Sequence, residues 1–180
     1  MANPAARSLL RRGRCHVLGD DVSLDDDIIP ARYSRERVTD AKLLTPHLFA
    51  RLDPGLATRI QAGDVVLAGR NFACGKPRVQ GFIAMGELRL SIVCASMPYK
   101  MLRRAVARGV PVIAGVEDAA AIAADGDELE IDFACGRICN LTRNTEFSAP
   151  AMPPVLRDIV ASGGTQAILR KWLADHPEQT

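Results

Sequence analysis

The 180-residue chain has few aromatic residues, little net charge and no long apolar segment, and each absence excludes a class of protein. Aromatic residues make up 4% of the sequence and the formal net charge is +2, which gives no support for nucleic-acid binding. No run approaches the ~18 apolar residues that a membrane-spanning helix requires. Arg11, Arg12 and Arg14 interrupt the region where a signal peptide would need its apolar stretch. We therefore expect a cytoplasmic protein.

The chain also lacks the close cysteine pairs of a metal site. Cys15, Cys74 and Cys94 are isolated, and Cys135 and Cys139 are separated by three residues that include a glycine. Structural zinc and iron–sulfur clusters usually take four convergent ligands. We therefore expect this chain to bind no metal and its thiols to be free.

What the sequence does contain is an ordinary globular composition, with 48% hydrophobic and 24% charged residues. Its length predicts one domain over residues 1–180. The basic run from Arg7 to Arg14 has no interleaved aromatic residues, and we interpret residues 1–13 as a solvated basic arm.

The middle third has the clearest pattern. Two apolar runs and a third that contains proline predict strands over 64–68, 90–95 and 110–114. Helical periodicity predicts helices over 78–88 and from Ser96, as the capping residue, to Gly109. This order predicts an α/β fold with a parallel βαβαβ unit.

The flanking regions predict further strands and helices. We expect a strand over 16–18, antiparallel strands over 128–133 and 137–142 that meet at a turn on Gly136, and two short C-terminal helices between Pro154 and Leu173.

The loop from Gly69 to Arg78 joins a predicted buried strand to a predicted helix, the place where open parallel sheets bind ligands. Its glycines allow backbone amides to approach an anion, and Lys76 and Arg78 add two positive charges. Pro77 is suited to the first turn of the helix. These features are compatible with a carboxylate or phosphate site, and equally with a solvent-exposed turn that carries two surface cations.

Three motifs follow one another along the chain. The first is Asp26-Asp27-Ile28-Ile29-Pro30-Ala31-Arg32-Tyr33. The second is Ala68-Gly69-Arg70-Asn71-Phe72-Ala73-Cys74-Gly75-Lys76-Pro77-Arg78-Val79. The third is Ser96-Met97-Pro98-Tyr99-Lys100-Met101 followed by Gly109-Val110-Pro111-Val112-Ile113. In order and spacing these motifs resemble the aconitase swivelling-domain family, which includes the small subunits of isopropylmalate dehydratase and homoaconitase. The second motif is similar to the family's Ala-Gly-x-Asn-Phe-Gly-x-Gly-Ser-Ser-Arg-Glu. The resemblance spans about residues 14 to 170.

The resemblance implies a heteromeric hydro-lyase, a dehydratase or isomerase that acts on a hydroxy di- or tricarboxylic acid. In such enzymes a large subunit holds a [4Fe-4S] cluster whose open iron acts as a Lewis acid. The small subunit closes over the cluster and supplies a Ser-Ser-Arg loop. By position, Arg78 matches the arginine that clamps a substrate carboxylate, and Asp26 matches the acidic residue before Ile-Ile-Pro. Asn71, Gly75 and Pro77 fall in the substrate-facing loop.

The sequence differs from the family pattern at the residue that serves as the catalytic base. Lys76 replaces the serine that removes a proton, Pro77 replaces the second serine, and Val79 replaces the glutamate. A lysine can act as a general base where burial or nearby cations favour its neutral amine, and we hypothesise that Lys76 does so. Two alternatives remain: a non-catalytic subunit of the same complex, or a stand-alone carboxylate-binding protein of the same fold.

Substrate side-chain specificity in the family lies in the loop after the motif tyrosine, here Ser34-Arg35-Glu36. A cation at Arg35 would suit a substrate with a further carboxylate better than one with an isopropyl group. Arg35 is equally compatible with a solvated surface position.

Overall fold

The computed structural model describes residues 9–179, and its strands form one sheet of seven. The strands are β1 (Leu10–Leu18), β2 (Val65–Ala68), β3 (Ser91–Cys94), β4 (Val112–Ala114), β5 (Glu128–Asp132), β6 (Arg137–Asn140) and β7 (Thr145–Ser148). Their order across the sheet is β4-β3-β2-β1-β5-β6-β7. Strands β1 to β4 are parallel, and β5 to β7 add an antiparallel half.

Seven α-helices accompany the sheet in the described part of the chain. They are α1 (Ala31–Arg35), α2 (Ala41–Leu44), α3 (Leu56–Arg59), α4 (Gln80–Glu87), α5 (Tyr99–Ala107), α6 (Pro154–Ala161) and α7 (Thr165–Asp175). Short 3₁₀ turns lie at Thr45–His47, Ala119–Ala121 and Pro177–Gln179. None of the helices in residues 9–179 is long and apolar enough to cross a membrane.

The predicted parallel unit is confirmed: β2, α4, β3, α5 and β4 follow one another, and β3 pairs in parallel with both neighbours. Gly109 follows α5 with φ +76°, a conformation that favours glycine. The antiparallel pair that meets at Gly136 is also confirmed, as are the two C-terminal helices on either side of Gly163-Gly164.

Two boundaries differ from the sequence predictions. Helix α4 begins at Gln80 rather than at residue 78, so Pro77 precedes the helix and is not in its first turn. The residue that caps α5 is also different. Ser96 lies three residues before the helix, and its hydroxyl accepts a hydrogen bond from the Asn71 backbone N–H instead.

The predicted basic arm over residues 1–13 is wrong from Leu10 onward, because Leu10 to Gly13 belong to β1, which therefore begins well before the predicted residue 16. The remaining residues of the arm, apart from Leu9, lie outside the described residues. The physical reason is charge compensation across the sheet: β1 runs antiparallel to the acidic β5, and Arg12 Nε is 2.8 Å from Glu128 Oε1. Cross-strand pairs of opposite charge favour strand pairing.

Both faces of the parallel strands are buried, which explains their unbroken apolar runs. Val66 and Ala68 of β2 pack into one core with α4, whereas Val65 and Leu67 face a second core. The second core is closed by β5, β6 and α6 through residues such as Leu129, Ile138 and Val160. The antiparallel half thus covers one face of the parallel half.

Gly13 lies where β1 passes the turn before β2, and a Cβ there would overlap the Gly63 carbonyl oxygen. We predict that Gly13→Ala lowers the free energy of unfolding by about 1–3 kcal/mol, because the backbone must shift. Gly19, at the other end of β1, has no heavy atom within 4 Å of an added Cβ. Gly19→Ala is the matched control, with an expected change of about 0.5 kcal/mol or less in urea unfolding. Equal losses for both variants would contradict the prediction.

Candidate functional site

The carboxyl ends of β1, β2 and β3 meet at one edge of the sheet, and their loops are hydrogen-bonded to one another. The Gly69 N–H donates to the Gly19 carbonyl at 3.2 Å, and the Phe72 N–H donates to the Ser96 carbonyl at 2.9 Å. The loop after β2 therefore lies between the loops after β1 and β3. This is the edge at which the sequence predicted a ligand site.

The first part of the loop is fixed by Asp20. Its carboxylate accepts hydrogen bonds from the Arg70 backbone N–H at 2.7 Å and from Arg70 Nη2 at 2.8 Å. These bonds, the backbone one first, lower the pKa of the Asp20 carboxyl. Gly69 is required beside this pair, because a Cβ there would overlap Asp20 Oδ1.

Asn71 is held on both sides. Its backbone N–H donates to Ser96 Oγ at 2.8 Å, and its side-chain amide donates to Asp21 Oδ1 at 2.8 Å. Its φ of +57° lies in the left-handed region, which asparagine tolerates better than most residues. The Nδ2 group of Asn71 therefore fixes the loop, although the residue is exposed.

The middle of the loop forms a short strand-like contact with the segment after β1. The Cys74 N–H donates to the Val22 carbonyl at 3.2 Å, and the Leu24 N–H donates to the Cys74 carbonyl at 2.9 Å. Burial, and then the Asp21 carboxylate, raise the pKa of the Cys74 thiol. The neutral thiol is favoured, so Cys74 is a poor candidate for a nucleophile.

Gly75, Lys76 and Pro77 lead out of this contact, and all three are exposed. Gly75 has φ +89°, which favours glycine and lets the chain turn towards solvent. In the described part of the chain, the Lys76 side chain makes no hydrogen bond or ion pair. The side-chain nitrogen of Lys76 is therefore available to bind a ligand.

Arg78 is oriented by a carboxylate. Its Nε is 3.1 Å from Asp25 Oδ1, and the two side chains are 32% and 23% exposed. A guanidinium has five N–H donors, so this contact leaves both terminal nitrogens for a second anion. The fork of Arg78 is thus positioned before any substrate carboxylate arrives.

Asp25, rather than Asp26, contacts Arg78. Asp26 Oδ1 accepts a hydrogen bond from the Ala31 N–H at 2.9 Å and so caps the start of α1. Its φ of +74° is part of the tight turn that makes this possible. Sequence reasoning missed Asp25 because the chain has three successive aspartates here. Only the geometry of the turn shows which of them faces Arg78.

Arg35 ends α1 and is exposed. Its neighbour Ser34 is buried and donates to Gln80 Oε1 at 3.0 Å, across to the first residue of α4. The segment after Tyr33 is therefore in direct contact with the start of α4, two residues after Arg78. Sequence reasoning also missed Gln80, since its apolar neighbours hide a buried amide in the pattern of a core helix.

The cysteines do not form a ligand cluster. Burial raises the pKa of Cys94 to about 12 and, with Asp127 and Asp125, that of Cys15 to about 11. Across residues 9–179, no three His, Cys, Asp or Glu side chains are grouped so that they could hold a metal ion. The residues described here therefore do not fit an iron–sulfur cluster.

Curated proteins are similar in sequence to this chain over most of its length. It is 37% identical over 157 residues to the 3-isopropylmalate dehydratase small subunit of Moorella thermoacetica, a match that covers 87% of this chain and 92% of that protein. The chain belongs to the family of 3-isopropylmalate dehydratase small subunits. The methanogen homoaconitase small subunit of Methanothermobacter thermautotrophicus is 36% identical over 154 residues, which are 85% of this chain and 86% of that protein. No family model matches the chain.

The fold agrees with this family. The crystal structure of 3-isopropylmalate dehydratase from Methanocaldococcus jannaschii matches with a TM-score of 0.82 and 31% identity, over 95% of this chain and 99% of that one. The predicted aconitase swivelling-domain-like α/β fold is therefore confirmed. The roles of Lys76, Arg78, Asp26 and the other predicted site residues stay predictions.

The different positions of Asp25 and Asp26 predict different effects on stability. We expect Asp26→Ala to lower the free energy of unfolding by about 0.5–2 kcal/mol, because the Ala31 N–H loses its acceptor. Asp26→Asn keeps an acceptor oxygen and a residue that tolerates positive φ, so it should lie near the unmodified protein. Asp25→Ala removes a partly exposed ion pair and should cost at most about 1 kcal/mol. A larger loss of free energy of unfolding for Asp25→Ala than for Asp26→Ala, measured by urea unfolding, would contradict these different roles of the two aspartates.

Proposed function

We propose that this chain is the small subunit of a heteromeric hydro-lyase of the aconitase superfamily, and that it acts on a hydroxy di- or tricarboxylic acid. The observation that carries the proposal is the geometry of Arg78. Its Nε contacts Asp25, and its terminal nitrogens are left for a carboxylate at the edge where the parallel strands end. Homologous small subunits of dehydratases support the same function.

Arg78 is proposed to bind a substrate carboxylate with both terminal nitrogens. Two parallel N–H···O bonds fix the plane and direction of the carboxylate, which a lysine cannot do. The contact with Asp25 limits the rotation of the guanidinium, so less conformational entropy is lost on binding. Orientation of the carboxylate in turn fixes the adjacent carbon whose proton is removed.

Lys76 is proposed to remove that proton. It is two residues from Arg78 and its amine is solvated in the isolated chain. A partner that closes over the loop would remove water from the amine and, together with Arg78, favour its neutral form. The neutral amine then takes the proton on Nζ and returns it in the reverse direction.

Asn71, Gly75 and Pro77 are proposed to line the substrate side of the loop, where all three are exposed. Asp26 is proposed to support catalysis through its turn, because its carboxylate is already occupied by the Ala31 N–H. Asp25 takes the direct contact with the arginine.

The partner is proposed to be an aconitase-like large subunit that carries a [4Fe-4S] cluster. The cluster would supply a Lewis acid for the substrate hydroxyl and carboxylate. The residues of this chain would bind and orient the remaining carboxylate and hold the abstracted proton on the Lys76 Nζ.

The substrate is proposed to carry a further carboxylate rather than an isopropyl group. Arg35 is exposed at the end of α1, and Ser34 beside it contacts the first turn of the helix that follows Arg78. A cation here would bind a second anionic group of one substrate molecule, whereas an alkyl group would leave it without a partner.

The proposed complex is tested by tagging the full chain, purifying it without oxygen from its own cells, and identifying what copurifies. We expect a large subunit with three cluster cysteines, iron in the complex, and higher kcat/KM for homocitrate than for 3-isopropylmalate. Isolation of an iron-free homomer that binds carboxylates would contradict the hydro-lyase and support a stand-alone binding protein. Faster turnover of 3-isopropylmalate would contradict the substrate class alone.

The role of Lys76 is tested in the same complex. Lys76→Ala should lower kcat by about 10²–10⁴-fold, the usual contribution of a positioned general base. Lys76→Ser, which restores the residue of the family pattern, should retain more turnover than the alanine variant. Lys171→Ala, on the exposed face of α7, is the control for loss of a positive charge. Undiminished turnover of a folded Lys76→Ala complex would show that the subunit is non-catalytic at this position.

A further inference from the structure

Gln80 is a buried amide at the junction of two site segments. It is 6% exposed, begins α4, and lies two residues after Arg78. Its Oε1 accepts from Ser34 Oγ at 3.0 Å and from the Val79 N–H at 3.3 Å, and its Nε2 donates to the Val38 carbonyl at 3.3 Å. One side chain thus joins the segment after Tyr33 to the end of the loop.

The orientation of this amide is determined by its backbone partners. The Val38 carbonyl can only accept and the Val79 N–H can only donate, so the nitrogen must face Val38 and the oxygen must face Val79. Ser34 then has to donate its hydroxyl proton to the oxygen. The three bonds hold the buried amide in one orientation, and loss of a partner for a buried polar group is costly.

The two segments that Gln80 joins carry the two candidate carboxylate-binding arginines. Ser34 precedes Arg35 and Val79 follows Arg78, so each arginine is next in the chain, ~3.8 Å between Cα atoms, to a residue that donates to the amide. Loss of the Gln80 bonds would therefore release the backbone beside both arginines. An apolar residue of the same length would fill the space and leave their separation unfixed.

We infer that Gln80 is a positioning residue that sets the spacing between Arg35 and Arg78, and so matches it to the distance between two carboxylates of one substrate. This inference rests on the proposed function for the roles of the two arginines. The link between the segments does not depend on that function, since it is made within this chain.

The first test uses the isolated full-length chain and needs no activity. Nuclear magnetic resonance measures solvent exchange of the Arg78 Nε–H, which Asp25 protects. Gln80→Met should accelerate this exchange about tenfold, and Ser34→Ala should do so to a smaller extent, because each removes bonds from the same amide. Gln166→Met, on the exposed face of α7, is the matched control. Unchanged exchange in a folded Gln80→Met protein would overturn the inference, whatever the fate of the proposed function.

The second test is a double-mutant cycle on the reconstituted complex with homocitrate as the probe. Gln80→Met should lower kcat/KM about tenfold, mainly through KM, and should have little further effect in an Arg35→Ala background. Independent, additive losses would show a general effect on folding and would overturn the inference. If Gln80→Met fails to assemble, Ser34→Ala takes its place in the cycle with the same expected dependence on Arg35.

Discussion

The loop after β2 is fastened to the segment after β1 along most of its length, and the position of both candidate cations depends on these bonds. Arg70 binds Asp20, Asn71 binds Asp21, and Cys74 exchanges backbone hydrogen bonds with the residues around Ser23. A loop backbone without such partners would leave its polar groups to water and sample many conformations. Here the chain becomes free only at Gly75. Lys76 and Pro77 therefore follow a segment whose backbone is held in place. At the other end of the loop, the side chain of Arg78 is held by Asp25.

The two cations of this loop differ in what they need from a partner. Arg78 is already oriented by a carboxylate within its own chain, so it offers a prepared fork. Lys76 is solvated, and as an ammonium it cannot accept a proton. A serine hydroxyl at this position would be neutral in water, whereas a lysine has to lose its proton first. Proton removal by Lys76 would therefore depend on the partner subunit to exclude water from the amine, and on the positive charge of Arg78. Proton removal by the family serine would depend less on both.

The sequence predicted the parallel unit well because its strands are buried on both faces and its helices have a clear period. It predicted the end of β1 over 16–18 but failed for the first part, where the arginines were interpreted as a solvated arm because the pairing with the acidic strand β5 is not visible in the sequence. It also failed for Ser96, whose usual role as a helix cap is replaced by a bond to Asn71 from another loop. In the candidate site, motif matching proposed Arg78 and Asp26 and did not identify Asp25 as the aspartate that contacts Arg78. These features depend on contacts between residues 25, 53 and 116 positions apart in the chain, which local patterns do not contain.

The segment with Arg35 depends on its contacts with the rest of the site. Helix α1 has five residues, too few to be stable by itself. It is held by the Asp26 carboxylate at its start and by the bond from Ser34 to Gln80 near its end. The same amide is bound to the residue after Arg78. A substitution in the segment after Tyr33 would therefore affect the position of Arg78 as well as the local surface. In this chain, substrate preference and carboxylate orientation would then change together, because one buried hydrogen-bonded group supports both.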